Sequence, residues 1–194
     1  MKWEVKSKEV VLDTIPFQVE KLYLSKDQEE IPEPYHRLLA PDWVNVLAIT
    51  TDGQAVLIRQ YRAGVHDYCL ETPGGCVDKN DAGAFKQAAC RELEEETGYR
   101  VGIENLELLG AVSPNPAIQD NRIHFYMAQN VYLPKKRVHF PDENEDIEVV
   151  LMPLEELYQS IVNGRMQHGL CTLCVFMGIE RLFPRGKFFK KQSI

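Results

Sequence analysis

The chain has 194 residues, long enough for one domain with a proper core and a small extension. A hydrophobic fraction of 44% and a charged fraction of 26% exclude general disorder and a fibrous repeat. Lys plus Arg is 22 against 29 Asp plus Glu, a net charge of -7, which argues against tracking a nucleic acid polymer or lying on an anionic membrane.

Residues 2–13 and 17–24 alternate apolar and polar side chains, as half-buried strands do, with Ile15-Pro16 between them. They predict a small antiparallel segment over residues 1–40. The polar, proline-broken run 25–34 reads as a loop. Asp42–Thr50 and Gln54–Tyr61 are strong strand sequences joined by the hairpin signal Asp52-Gly53. Tyr68–Thr72 reads as a shorter strand, broken by Pro73-Gly74-Gly75. Phe85, Ala88, Ala89 and Leu93 recur at helical spacing and predict a helix over Ala84–Thr97, with Asp81 as candidate N-cap and Gly98 as its stop. Leu106–Val112 and Ile123–Ala128 read as strands joined through Ser113–Ala117. An acidic loop at Asp142–Asp146 precedes a strand over Ile147–Met152. A helix opens with Pro153 in its first turn, and a mostly apolar helix runs from Gly169 to Leu182. Residues 185–194 form a basic tail. This order predicts an α+β fold in which helices cover both faces of a mixed sheet, with the main domain over 41–184.

No run approaches the roughly 18 apolar residues that cross a bilayer, and Met1-Lys2-Trp3-Glu4-Val5-Lys6 lacks the apolar core of a secretory signal. Cys69, Cys76, Cys90, Cys171 and Cys174 therefore read as reduced thiols of a cytoplasmic protein. Cys171 and Cys174 have CxxC spacing, but their apolar setting reads as core packing. His36, His66, His124, His139 and His168 are scattered without ligand spacing and read as surface or structural.

Chemistry concentrates in Arg91-Glu92-Leu93-Glu94-Glu95-Glu96-Thr97-Gly98-Tyr99. On a helix, Glu92, Glu95 and Glu96 share a face. Like charges at that spacing cost about 0.2–0.5 kcal/mol per pair. The negative end of the helix dipole adds to the cost. Spacing alone leaves two readings open, a solvated acidic face or a site for a hard divalent cation such as Mg²⁺ or Mn²⁺.

With Glu71-Thr-Pro-Gly-Gly75 upstream, the segment resembles the Nudix box, G-x5-E-x7-R-E-U-x-E-E-x-G-U with U apolar. Gly75 matches the opening glycine, and Arg91, Glu92, Leu93, Glu95, Glu96, Gly98 and Tyr99 match the second half. Gly75 to Arg91 is two residues longer than the pattern, with the insertion at Lys79–Ala82, and Gly83 stands where the first Glu would be. From Trp43 to about Leu182 the chain is similar to the ADP-ribose and nucleoside diphosphate sugar pyrophosphatase branch. Leu57–Arg62, Tyr68–Gly75, Pro114 and Pro116, and Glu143–Glu148 carry that similarity.

The resemblance implies a Nudix fold, an α/β/α sandwich with an N-terminal strand segment that builds a homodimer. It implies that Glu92, Glu96 and the Gly74 carbonyl hold Mg²⁺ or Mn²⁺, with Glu95 beside them. Glu145 or Glu143 completes the metal site or activates water. Arg62, Glu71 and Pro116 are expected at the substrate. Gly75, Arg91 and Gly98 are expected to shape the box. The implied reaction is hydrolysis of the diphosphate linkage of ADP-ribose or a related nucleotide sugar to two monoesters. A dinucleoside polyphosphate or nucleotide triphosphate substrate is the alternative. A non-catalytic nucleotide-binding module would tend to lose these carboxylates.

Overall fold

The computed structural model describes residues 1–77, 84–137, 140 and 146–184. The chain divides into two units. One is Met1–Asp42 with Val112–Ile123, and the other is Trp43–Ala111 with the chain from His124 onward.

In the first unit, β1 (Trp3–Asp13), β2 (Gln18–Lys26), β3 (Glu29–Glu30) and β4 (Tyr35–Leu39) form a four-stranded sheet. β1 and β2 are antiparallel, with Trp3 opposite Lys26 and Asp13 opposite Gln18. Two features depart from the loop reading of 25–34 and its flank. Glu29 and Glu30 pair with Lys26 and Ser25, and Tyr35–Leu39 adds a strand on β2 that simple alternation does not reveal. The physical reason lies at Glu20. It is 3% exposed in β2, and Arg37 of β4 meets its carboxylate at 2.8 Å. Pairing β4 to β2 gives that buried charge its partner.

In the second unit, β5 (Trp43–Thr50), β6 (Gln54–Arg62), β9 (Leu106–Val112), β10 (Ile123–Val131) and β11 (Ile147–Pro153) form a sheet in the order β11-β6-β5-β10-β9. β7 (Asp67–Glu71) pairs with β6, and β8 (Gly74–Cys76) pairs with β5. The helices are α1 (Phe85–Thr97), α2 (Leu154–Val162) and α3 (Gly169–Leu182).

β5 explains the layering. Every residue from Val44 to Thr50 is buried, so both of its faces are covered. Successive side chains point to opposite faces. Val44, Val46 and Ala48 join a core cluster with Ala88, Ala89 and Leu93 of α1. Leu47 meets α3, where a Cβ added to Gly178 would lie 2.3 Å from Leu47 Cδ2. Burying each such aliphatic side chain contributes roughly 1.5–3 kcal/mol. The sheet is thus held between α1 and α3, the predicted α+β sandwich.

Three local readings are corrected. Pro73-Gly74-Gly75 does not simply end a strand, since Gly74–Cys76 forms β8, with Asn45 opposite Gly74 and Val44 opposite Gly75. Pro153 is the N-cap of α2 and lies before its first turn. Ala84 is the N-cap of α1 and makes no side-chain cap, while Asp81 lies outside the described residues.

Candidate active site

The site is assembled where β8 runs beside α1. A Cβ at Gly74 would fall 2.1 Å from the Val44 carbonyl oxygen, so only glycine allows this closeness to β5. A Cβ at Gly75 would fall 2.6 Å from the Glu92 carboxylate. The Gly74 N–H donates to the Glu96 carboxylate at 2.7 Å. Arg91 meets Glu92 at 2.8 Å and also pairs with Glu95. Glu92, Glu95, Glu96, Gly74, Gly75 and Arg91 are therefore brought together. Glu94 turns away and is 4% exposed, and its carboxylate pairs with Arg100 at 2.7 Å.

Gly98 closes α1 in the left-handed conformation at φ 77, and its N–H donates to the Glu94 carbonyl at 2.8 Å. The last turn of α1 has no basic side chain of its own. A cation comes from elsewhere in the sequence, because Arg137 donates to the Glu95 carbonyl.

Arg62 and Glu71 form a second element, from β6 and β7. Arg62 Nε and Nη2 donate to the two Glu71 oxygens, each at 2.7 Å. Glu71 is only 3% exposed, whereas Arg62 is 40% exposed. Two of the five guanidinium N–H groups are used in this fork. The Glu71 hydrogen bonds raise the Arg62 pKa above its ordinary value against the cost of burial, and the charge of Glu96 adds to the rise. The fork thus lies within electrostatic reach of the α1 carboxylates.

Beside it, Glu71, His168 and Cys171 place one ligand-type atom each within 4.8 Å of one another. His168 accepts from the Cys171 N–H as the N-cap of α3, and Asn45 donates to the Cys171 sulfur at 3.7 Å. Both Glu71 oxygens are already held by Arg62, and burial pushes the Cys171 thiol up to about 12. The group is a hydrogen-bonded packing cluster. Cys174 is likewise fully buried, as core packing of the CxxC pair predicts.

Glu143 and Glu145 lie outside the described residues. Asp146, the next residue, accepts from the Tyr68 hydroxyl at 2.9 Å, and Arg59 lies 4.7 Å from the Tyr68 ring centroid. Pro116 is exposed in the loop of the first unit, where Asn115 accepts from the Ala117 N–H. A concavity of 340 Å³ lined by Val101, Gly102, Asn105, Gln129, Asn130 and Tyr132 includes none of the candidate residues.

Sequence reasoning missed Arg137, Asn45 and the placement of His168. Arg137 closes a basic run, Lys135-Lys136-Arg137, that carries no spacing signal. His168 precedes the apolar helix where Ser, Thr, Asp or Asn would have announced an N-cap.

The NUDIX domain family matches residues 41–169. The methanol dehydrogenase activator of Bacillus methanolicus is 32% identical over 135 residues, 70% of each chain. The ADP compounds hydrolase NudE of Escherichia coli is 30% identical over 136 residues, 70% of this chain and 69% of that one. The ADP-ribose pyrophosphatase of Bacillus subtilis is 31% identical over 116 residues, 60% of each chain. A crystal structure of an ADP compounds hydrolase superposes with a TM-score of 0.80 at 25% identity, covering 96% of this chain and 97% of the other. The acidic face of α1 against β8 lies within the matched span, and the chain belongs to the NUDIX domain family.

Proposed function

We propose that the protein is a divalent-metal-dependent Nudix pyrophosphatase that hydrolyses the diphosphate linkage of ADP-ribose or a related nucleotide sugar. The products are a nucleoside monophosphate and a sugar phosphate. The observation that carries the reading is the meeting of Glu92 and Glu96 with the Gly74–Gly75 segment, with Glu95 joined to Glu92 through Arg91 and the Arg62–Glu71 fork within electrostatic reach. The names of the Escherichia coli and Bacillus subtilis relatives support the substrate class.

The donor set fits a hard divalent cation. It consists of carboxylate oxygens against the two glycines of β8, and it needs no sulfur or imidazole ligand. Glu92, Glu96 and the Gly74 carbonyl would hold the ion, with Glu145 as a further ligand. When bound there, Mg²⁺ or Mn²⁺ supplies charge neutralisation at the phosphoryl oxygens and lowers the pKa of a bound water. Arg62 binds the diphosphate through the N–H groups that Glu71 does not use, and the fork fixes its direction. Glu95, Glu143 and Glu145 are the carboxylates to take the proton of the attacking water. Arg91 pairs with both Glu92 and Glu95 and so fixes their carboxylates relative to each other.

The test is a panel of ADP-ribose, GDP-mannose, UDP-sugars, dinucleoside polyphosphates and nucleotide triphosphates with Mg²⁺ or Mn²⁺, scored by phosphomonoester release. Preferred cleavage of a nucleotide sugar supports the reading. A clear triphosphate preference refutes it, and tight binding without product makes the protein a sensor.

The first unit is the proposed homodimer element. Trp3, Val5, Val10 and Leu12 of β1 are 47–58% exposed, a row of apolar side chains on an outer strand. A monomeric mass by light scattering would refute this. The described residues hold no helix long and apolar enough to cross a membrane. The cysteines Cys69, Cys76, Cys90, Cys171 and Cys174 fit the reducing cytoplasm.

A further inference from the structure

We propose that Arg137 is a positioning residue for the α1 carboxylates, acting on them through the main chain of the helix's last turn. The inference rests on the metal-dependent reading above and deepens it. The last carbonyls of a helix have no partner inside the helix. In α1 the Gly98 N–H takes the Glu94 carbonyl and the Thr97 hydroxyl takes that of Leu93. The Glu95 carbonyl accepts from Arg137, 42 residues further along the chain.

The guanidinium has a built seat. A Cβ at Gly98 would lie 3.6 Å from Arg137 Nη1 and 3.7 Å from Leu133 Cδ2, so both side chains pack over the glycine. The Phe140 ring centroid lies 5.1 Å from the Arg137 Cζ. The chain reaches this seat from a two-way backbone bridge between Arg100 and Tyr132, at 2.8 and 3.0 Å. Arg100 itself holds Glu94 at 2.7 Å. The end of α1 is therefore held at two successive residues, Glu94 by Arg100 and Glu95 by Arg137, from two segments that the Arg100–Tyr132 bridge joins.

The grip bears directly on the site. The Glu95 carbonyl and the Glu96 N–H belong to one planar peptide unit. Fixing that oxygen fixes the Glu96 Cα, whose side chain reaches the Gly74 N–H at 2.7 Å. Glu95 on the other side of the same peptide pairs with Arg91. A loosened last turn would move both carboxylates.

Position and charge predict opposite signs. As a bare positive charge near the carboxylates, Arg137 would repel a divalent ion, and its removal would tighten binding. As a positioning group, its removal weakens binding. The experiment compares the full chain with R137M, which keeps an apolar stem over Gly98, and with R137K. Mn²⁺ binding is followed by the electron paramagnetic resonance signal of the free ion, without substrate. kcat and KM are then measured on the best panel substrate.

R137M is expected to bind Mn²⁺ about 10-fold more weakly and to lose about 10-fold in kcat with KM little changed, the size typical of an outer partner of a metal ligand. R137K falls between. Mn²⁺ binding by R137M as tight as, or tighter than, that of the parent protein overturns the proposal. If R137M does not fold, unweakened Mn²⁺ binding by R137K overturns it. A parent protein that binds Mn²⁺ but cleaves nothing in the panel refutes the proposed function and leaves the binding order to decide the role of Arg137.

Discussion

Gly75→Ala separates the chemistry of the site from the stability of the fold. The new Cβ would lie 2.6 Å from the Glu92 carboxylate, and ordinary contact begins near 3.4 Å, so the carboxylate must move by about 0.8 Å. Arg91 holds Glu92 at 2.8 Å, so that movement also strains an ion pair. Misplacement of about 1 Å at a reacting centre costs on the order of 100-fold, so kcat/KM should fall about 10- to 100-fold, or about 1.4–2.7 kcal/mol of transition-state stabilisation. The clash is with the end of a flexible side chain, so the melting temperature should stay within a few degrees. Gly74→Ala is the control. Its Cβ would meet the Val44 carbonyl oxygen at 2.1 Å and Asn45 Cα at 2.8 Å, both main chain of the central strand. Overpacking of this kind costs about 1–3 kcal/mol or more, so this variant should lose stability. Steady-state kinetics over a Mg²⁺ titration, with thermal unfolding of both variants, reads the outcome. Full activity in Gly75→Ala, or a stability loss equal to that of Gly74→Ala, would refute the placement of Glu92.

Glu96→Gln keeps an acceptor for the Gly74 N–H but removes the charge, so kcat should fall by orders of magnitude with an unchanged circular dichroism spectrum. Unchanged turnover would remove Glu96 from the metal site. Arg62→Met leaves Glu71 buried without its fork, which should cost about 1–3 kcal/mol in urea unfolding once solvent access at Arg62 is allowed for. The double variant with Glu71→Gln should recover part of that loss, and strict additivity of the two would contradict the coupling. Burial holds the Cys171 thiol up to about 12 and raises Cys174 as well, from an ordinary value near 9. Both thiols contribute fully below the unfolded value, and the contribution is lost as pH rises toward the folded value. Urea midpoints should therefore drop between about pH 9 and 12, and Cys174→Ala should flatten that drop.

The legible parts of the molecule are those where period or composition is local. The alternation in β1 and β2, the apolar run of β5 and the spacing of Ala88, Ala89 and Leu93 all announce their elements, although β1 is exposed along nearly its whole length where the alternation predicts a half-buried strand. β4 was not legible, since its pairing serves a buried charge on another strand. β8 was hidden for a different reason. Its glycines read as a break, yet their lack of side chains is what lets the segment pair with β5 and meet α1. In the site, the box resemblance brought Glu92, Glu95 and Glu96 into view together with Arg91 and Gly74, but not the groups that hold the end of the helix. Arg137 and Arg100 act on α1 from positions that no periodicity connects to it. Glu94 shows the limit most clearly. It sits in the same acidic run, but its direction on the helix assigns it to the core side with Arg100.

The charge of -7 takes on a different meaning once the acids are sorted by partner. Glu20, Glu71 and Glu94 are each 3–4% exposed, and each has an arginine within 2.8 Å. Those charges are structural, because a buried carboxylate left without its guanidinium would cost several kcal/mol. Around Glu92, Glu95 and Glu96 of α1 the arrangement differs, with Glu96 buried and the other two partly buried. Glu92 and Glu95 share Arg91, and Glu96 accepts from the Gly74 N–H. The negative end of the helix dipole adds to the same side, where Arg137 donates to the Glu95 carbonyl. On the proposed function, a divalent cation would bind where these acids are gathered, and its charge would reverse the sign that an anionic substrate meets. The acidity that argues against a polyanionic partner along the surface would, on that proposal, be the condition for binding a diphosphate at this one face.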